Sequence, residues 1–304
     1  MTQPIKNELS WSFSRQQLFN RCQRAYFYHY YQSFGGWEYS APLEAKQAYL
    51  LKNIISIDQW IGQVVHKTIE EILNNFKINR EWLPFEKAKE IARDLLSRGW
   101  RQSTQRKWQQ DIKNNLNLFE HYYKSEISQE KTEEIKEKVF TSIKEFLNSE
   151  LPSSISTSDT PYWLKQQDRI PHFFWQGIKI WTNFDFGLEE THRNRILIYD
   201  FKTGKKENGD LQFLSYALYA LEEKQYPLEN ISVNPVYLYP TFYCDKVQLT
   251  SQKIEGFKNY LQKSYKEMQR LHNEVYQNNA SMEKFAKTKN QSICKYCVFR
   301  EICT

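Results

Sequence analysis

The sequence lacks several features that would place it in large functional classes. None of its apolar runs reaches the roughly 20 residues that a transmembrane helix needs, and its polar N-terminus has no signal-peptide core. It contains no internal repeat, no glycine-rich phosphate loop and no helicase motif. We therefore expect a protein with no membrane contact, which would depend on a partner for any unwinding of nucleic acid.

Cysteine is scarce, and its number is odd. Five cysteines in a chain without an export signal predict reduced thiols and a cytoplasmic location. Cys294, Cys297 and Cys303 form a C-x2-C-x5-C segment near the C-terminus. Thiolates so close in sequence indicate a metal or cluster site more readily than disulfides. Cys244 is predicted to be a bystander in a strand or loop.

Proline is absent from residues 86–150, and the only glycine there is Gly99. The nearly continuous, highly charged helical pattern predicts a helical insertion over residues 78–150, packed beside the core. Its lysines alternate with acidic residues, so they form no clean basic stripe. Two interpretations remain open: the insertion shapes a channel for a nucleic-acid strand, or it forms a solvated layer that never contacts substrate.

The composition is that of a globular protein with a mild preference for polyanions. The 304 residues are 40% hydrophobic and 16% aromatic, which is ample for a core. The formal net charge is +6, which is consistent with a nucleic-acid partner without demonstrating one. We predict a single domain over residues 1–304.

Two carboxylates and an amine are predicted to meet at one end of a sheet. Residues 184–188 and 195–201 show the pattern of two strands joined as a hairpin, with Asp185 in the first and Asp200 near the end of the second. Lys202 points to the same face as Asp200, because strand side chains alternate with period two. In the following helix, Gln212 and Tyr216 are four residues apart, on a face that would look toward the carboxylates.

Such a group suits hydrolysis of a phosphodiester by a bound divalent cation. Mg²⁺ prefers oxygen ligands and is usually held by one or two carboxylates. A bound cation activates water and clamps the reacting oxygens, and a nearby lysine offsets charge that builds on the phosphate. A bare Asp-x-Lys triplet is more often a strand end with solvated charges, so the assignment depends on its companions.

With those companions the sequence resembles the PD-(D/E)XK nuclease superfamily, in the RecB-like branch that includes the RecB and AddB nuclease domains and CRISPR-associated exonucleases. The residues that carry the resemblance are Asp185, the Asp200–Gly204 segment DFKTG, Gln212, Tyr216 and an upstream helical histidine, His66. Phe184 stands where the motif name has proline. The resemblance implies that His66, Asp185, Asp200 and the Phe201 carbonyl bind Mg²⁺ or Mn²⁺. Lys202 would be the catalytic lysine, positioned by Gln212 and Tyr216.

The cysteines extend this resemblance. In AddB-like and CRISPR-associated members, one upstream and three C-terminal cysteines hold a [4Fe-4S] cluster. Cys22 would then join Cys294, Cys297 and Cys303 in a clasp between the two ends of the chain. Four thiolates also hold zinc, so the spacing does not itself identify the metal.

The implied fold is α/β: a restriction-endonuclease-like mixed central sheet flanked by helices, with a helical insertion. We expect residues 172–181 to enter this sheet, and residues 231–239 and 246–250 to add two more strands. The implied activity is metal-dependent cleavage of DNA, as an exonuclease on single-stranded ends, beside a helicase, CRISPR or recombination partner. Two alternatives remain: a non-catalytic DNA-end-binding subunit of a recombination or CRISPR adaptation complex, and a zinc-clasped interaction protein without hydrolytic activity.

Overall fold

The computed structural model describes residues 7–157, 162–163, 171–206, 210–278 and 281–303. The chain separates into two compact units. The terminal unit comprises Met1–Ile54, Pro171–Thr182 and Ser251–Thr304, and the central unit comprises Ile55–Ile170 and Asn183–Thr250. The extent of the nuclease domain and of its helical insertion stays a prediction.

Helices make up most of the described residues. Those of the α type are α1 (Phe13–Arg21), α2 (Gln23–Phe27), α3 (Leu43–Lys52), α4 (Ile57–Asn79), α5 (Phe85–Thr104), α6 (Phe119–Tyr122), α7 (Gln129–Asn148), α8 (Glu150–Ser156), α9 (Leu211–Glu222), α10 (Ser251–Asn278) and α11 (Gln291–Lys295). A π-helical turn, Tyr28–Gln32, continues α2. Residues 78–150 are largely helical, as the sequence predicted.

The strands confirm the predicted mixed α/β class. They are β1 (Ile54–Ile55), β2 (Asn117–Leu118), β3 (Tyr162–Trp163), β4 (His172–Trp175), β5 (Ile178–Trp181), β6 (Phe186–Glu190), β7 (Arg195–Lys202), β8 (Ile231–Tyr237) and β9 (Tyr243–Cys244). In the central unit, β3-β6-β7-β8-β9 form one sheet. The β7–β8 pair is parallel and the other pairs are antiparallel, so the sheet is mixed.

The connections in this sheet follow from the sequence pattern. The predicted hairpin forms, and β6 pairs with β7 from Phe186↔Tyr199 to Glu190↔Arg195. Parallel strands cannot be joined by a tight turn, and α9 supplies the crossover from β7 to β8. Consequently Lys202, at the end of β7, lies near the helix that carries Gln212 and Tyr216.

Two expectations about strands are wrong. Residues 172–181 do not enter the central sheet; they form a separate antiparallel hairpin, β4–β5, in the terminal unit. Residues 246–250 are not a strand, and the antiparallel neighbour of β8 is the shorter β9. The N–H groups of Asp245 and Val247 still donate to carbonyls of β8, at 2.9 and 3.0 Å, so isolated hydrogen bonds to β8 continue beyond the end of β9.

The helical layer of the central unit starts from α4. Ser56 caps this helix in a reciprocal capping box with Gln59. The apolar stripe of α4 packs in one core with α5, α7 and residues of β6, β7 and β8. Gly99 allows α5 to approach closely, because a Cβ at this position would lie 2.8 Å from Nε1 of Trp60. This packing holds α4, and with it His66, against the sheet.

In the terminal unit, residues from both ends of the chain share one core. Trp11 pairs with β5, and its indole N–H donates to the Ser264 hydroxyl on α10 at 2.9 Å. The Arg24 guanidinium donates to the Phe285 carbonyl at 3.1 Å, and the Tyr28 hydroxyl donates to the Ile302 carbonyl at 3.0 Å. These bonds bring the Cys22 region to the C-terminal cysteine segment.

Candidate active site

Asp185 lies one residue before β6 and is fixed by the neighbouring strand. Its N–H donates to the Tyr199 carbonyl at 3.2 Å, and its Oδ2 accepts the Phe201 N–H at 2.7 Å. The main chain of β7 therefore sets the direction of this carboxylate. Its other oxygen, Oδ1, lies 3.1 Å from Nδ1 of His66.

His66 connects the helical layer to the end of the sheet. Its Nε2 lies 2.8 Å from the Phe201 carbonyl oxygen, so each ring nitrogen faces an acceptor. Burial works most strongly to lower the pKa of His66, but Asp185, Asp200 and the Phe201 carbonyl together outweigh it and raise that pKa. The side chain is 38% exposed, which leaves the imidazole reachable from solvent.

Asp200 is the most enclosed acid of the group. Only 3% of the residue is exposed, and burial, followed by the charge of Asp185, raises its pKa. Its Oδ1 accepts the Tyr216 hydroxyl at 2.8 Å, and the Gln212 amide approaches at 3.4 Å. Its Oδ2 lies 2.6 Å from Nζ of Lys202.

Lys202, Gln212 and Tyr216 form a chain of contacts beside Asp200. The lysine ammonium donates to Oε1 of Gln212 at 3.0 Å, and Nε2 of Gln212 donates to the Tyr216 hydroxyl at 2.7 Å. That hydroxyl also lies 2.9 Å from the Asn183 carbonyl. The structure thus brings together the whole predicted carboxylate set, from His66 to Tyr216.

A family model described as the PD-(D/E)XK nuclease superfamily matches residues 10–304. The chain belongs to the PD-(D/E)XK nuclease superfamily. Members are generally nucleases and typically use Mg²⁺ or Mn²⁺. In a separate search, no curated protein matches the chain. Among the helices of the described residues, none is long and apolar enough to cross a membrane.

The donor set at this site fits the cations that the superfamily uses. Two carboxylates, an imidazole and a main-chain carbonyl are the oxygen and nitrogen ligands that hard or borderline cations take. Oδ2 of Asp200 is buried without a hydrogen bond, since the Lys202 contact is an ion pair whose geometry is poor for one. Within the described ranges, no three His, Cys, Asp or Glu residues are arranged to hold a metal ion. In the structure, Nδ1 of His66 lies beside the Asp185 carboxylate and Nζ of Lys202 beside that of Asp200.

Several neighbours of the carboxylate site were missed in the sequence. Tyr237 on β8 lies opposite Lys202 in the parallel ladder, and the ring of Tyr243 stacks on it with a centroid distance of 6.2 Å. Lys206 reaches over Tyr243 and pairs with Asp245. The predicted strand 231–239 contained Tyr237, but only the register between β7 and β8 brings it beside Lys202.

Cys22, Cys294, Cys297 and Cys303 lie in the terminal unit and Cys244 in the central unit, and all five are free. Burial raises the pKa of Cys297, and the nearby thiols of Cys22 and Cys303 raise it further. Cys297 donates its N–H to the Cys294 carbonyl at 3.1 Å. The four predicted ligands therefore share one region of the unit, although the described residues hold no arrangement of them that meets the geometry of a metal site.

Proposed function

We propose that this chain is a metal-dependent DNA nuclease of the RecB/AddB-like branch that degrades single-stranded DNA from its ends. The observation that carries the proposal is the continuous network from His66 through Asp185 and Phe201 to Asp200, Lys202 and the Gln212–Tyr216 pair. If these residues were only the solvated end of a strand, there would be no reason for a buried Asp200, for a His66 that bridges Asp185 and the Phe201 carbonyl, or for a Lys202 fixed by Gln212. Their convergence favours a working site over an incidental one.

His66, Asp185, Asp200 and the Phe201 carbonyl would hold Mg²⁺ or Mn²⁺. When bound, such a cation activates water and stabilises charge on the phosphate oxygens. The chain supplies orientation: the Phe201 N–H fixes Asp185, and the Tyr216 hydroxyl fixes Asp200. A carboxylate held by such donors keeps its direction when the surrounding charges change.

Lys202 is the group best placed to act on the scissile phosphate. Gln212 holds its ammonium at 3.0 Å, and the side chain remains 32% exposed. It can therefore meet a phosphate from the solvent side, orient the attacking water and offset negative charge in the transition state. Gln212 and Tyr216 do not need to touch substrate for this role, because they position the lysine and Asp200.

The decisive experiment compares cleavage and binding in two variants. Asp200→Asn and Lys202→Ala should each reduce cleavage of single-stranded DNA in Mn²⁺ at least about a thousandfold, since both remove groups used at the reacting phosphate. Binding of the same DNA in EDTA should stay within about threefold of the unsubstituted protein. Lys205→Ala, an exposed lysine three residues along, is the matched control.

Retained cleavage in both variants would contradict the assignment of Asp200 and Lys202 as catalytic groups. Loss of cleavage in the Lys205→Ala control as well would point to a general charge effect instead. No cleavage by the unsubstituted protein in Mg²⁺ or Mn²⁺, together with tight binding to DNA ends, would support a non-catalytic end-binding subunit.

The mode of cleavage needs its own test. A 5′-labelled and a 3′-labelled strand, digested over time, should release mononucleotides or short products from one label first. A circular single strand should resist digestion, and a blunt duplex should be cut slowly unless a helicase partner separates its strands. Rapid cutting of the circle would show an endonuclease.

We also assign Cys22, Cys294, Cys297 and Cys303 to a structural [4Fe-4S] cluster. Support comes from their spacing and from the interaction of Cys297 with Cys22 and Cys303. Anaerobic purification followed by iron, sulfide and zinc analysis separates the two metals. About four irons per chain fit the cluster, whereas one zinc per chain would replace it. Such a cluster, together with the nuclease site, fits a cytoplasmic role beside a recombination or CRISPR adaptation partner.

A further inference from the structure

A groove of about 510 Å³ opens in the helical layer of the central unit, away from the residues assigned to catalysis. Its walls come from α4, α5 and α7, and its lining is almost wholly apolar. Its apolar lining residues are Trp60, Leu96, Trp100, Ile135 and Phe140. This volume falls within the range of about 300–1,000 Å³ that small-ligand sites occupy.

The two indoles of this groove have unused hydrogen-bonding capacity. Trp60 is 4% exposed, and its ring lies 6.3 Å from that of Trp100. Neither indole N–H finds an acceptor among the described residues. Trp60 is almost fully enclosed, and its Nε1 packs against Gly99 of α5. Trp100 is only partly buried, so its ring face and its N–H are the ones that an occupant can reach.

Cations stand at the rim of the groove. Arg93 and Arg101 are eight residues apart on α5, which separates them by about 12 Å along one side of the helix. Neither guanidinium forms an ion pair within the described parts of the chain, and Arg101 bonds only to the Ser97 carbonyl of its own helix. Lys136 also lines the groove but is paired with Glu133. Of the residues that the structure describes, no acidic one lines the groove.

We propose that this groove binds a segment of single-stranded DNA, with a base against the indole of Trp100 and phosphates at Arg93 and Arg101. Aromatic platforms beside a positive track are how single strands are bound without sequence preference. Two separated, unpaired guanidinium groups match a ligand with repeated anions better than one with a single charged head.

The proposal deepens the proposed nuclease function and rests on it for the identity of the strand. Trp60 and His66 stand on the same helix, α4, six residues or about 9 Å apart along its axis. At about 100° per residue, the two side chains project from α4 in directions about 120° apart, so a strand held in the groove must pass around α4 to reach the carboxylate site. The helical layer would thus contact substrate, which is one of the two roles that the sequence left open for it.

The test measures binding without cleavage. Fluorescence anisotropy of an end-labelled oligothymidylate in EDTA should give a Kd at least about tenfold higher for Arg93→Gln/Arg101→Gln. The slope of log K against log salt should become shallower by about 1.4, since each lost contact to a single strand removes about 0.7. Trp100→Ala should raise Kd at least about fivefold through lost stacking. Arg98→Gln, an exposed arginine of α5 outside the groove, should leave both quantities unchanged.

Equal effects of Arg98→Gln and the double variant, or no effect of either, would overturn the groove assignment. So would tighter binding of an apolar fluorophore or a duplex than of the oligothymidylate. If Trp100→Ala unfolds, Trp100→Phe replaces it and should retain most of the affinity, because a six-membered ring still stacks. If the unsubstituted protein binds the oligothymidylate through the groove but does not cleave it, only the nuclease proposal fails. If the Arg93→Gln/Arg101→Gln variant binds and cleaves like the unsubstituted protein, only the groove proposal fails.

Discussion

The carboxylate site and the cysteine region differ in how their residues come together. Apart from His66, the carboxylate set lies within residues 185–216, at the adjoining ends of two paired strands and on the helix that follows them. The cysteine region instead joins Cys22 to residues 294–303, almost the full length of the chain away. Bringing such distant segments together costs more loop-closure entropy. The first site is built by local geometry, and the second needs other interactions to close it.

The two regions also differ in how their ionisable groups are satisfied. In the carboxylate site, protein donors bind Asp185 and Asp200, and His66 and Lys202 offset their charge. In the cysteine region, burial and neighbouring thiols both raise the pKa of Cys297. Crowded thiolates are favourable only beside a cation, so the cysteine region should depend for its stability on the cluster proposed above. The carboxylate site should keep its shape without one.

The largest expected effect is therefore on stability, at the cysteines. Cys297→Ser should lose bound metal and lower the free energy of unfolding by about 5 kcal/mol or more, because metal binding at such sites is also folding free energy. At two to four degrees per kcal/mol, Tm should fall by more than about 10 °C. Differential scanning calorimetry and metal analysis on anaerobic protein measure both quantities.

Cys244→Ser is the matched control for that change. Cys244 is a free cysteine in the central unit, on β9, and is not among the predicted ligands. Its replacement should leave the metal content and Tm unchanged. If Cys244→Ser and Cys297→Ser shift Tm equally, the proposed difference between the two regions disappears.

The next effect concerns metal use at the carboxylate site. His66→Ala should lower the cleavage rate about 100-fold at limiting Mn²⁺, since a lost ligand weakens metal affinity. The rate of this variant should recover in part as the Mn²⁺ concentration is raised. Its Tm should move far less than that of Cys297→Ser. His192→Ala, an exposed histidine of the same unit, serves as the control. A loss that no Mn²⁺ concentration relieves would make His66 a structural residue.

The terminal unit should also respond to acid through His29. Burial, with the charges of Lys52 and Arg15, lowers the pKa of His29 from 6.5 to about 4. Between these pH values the His29 imidazole binds a proton in the unfolded chain but stays neutral in the folded chain. The free energy of unfolding therefore falls as pH drops from about 6.5 toward 4. The loss should be on the order of 2 kcal/mol at pH 5, and His29→Phe should remove it from urea-unfolding curves. An unchanged pH slope in His29→Phe would show that other groups govern the acid response.

These contrasts also explain what the sequence could predict. Asp200 and Lys202 are two residues apart on a strand, and Gln212 and Tyr216 are one helical turn apart, so local periodicity is enough to align each pair. Placing His66 among them required the family resemblance, because no local pattern brings α4 to the end of β7. Tyr237 and the groove beside Trp100 were missed because they depend on strand register and on helix packing, which single-sequence periodicity does not specify.

The smallest effect tests whether the carboxylate site is held by its own hydrogen bonds. Tyr216→Phe removes the hydroxyl that contacts Asp200 at 2.8 Å, Gln212 at 2.7 Å and the Asn183 carbonyl at 2.9 Å. We expect about tenfold slower cleavage, with KM for DNA and the Mn²⁺ requirement nearly unchanged, because the hydroxyl positions groups and binds neither ligand. Tyr226→Phe, just beyond α9, removes a hydroxyl that makes no such contact with any described residue, and this variant should cleave normally. A Tyr216→Phe protein that is fully active would mean that β7 alone fixes Asp200, and that Gln212 alone is enough to hold Lys202.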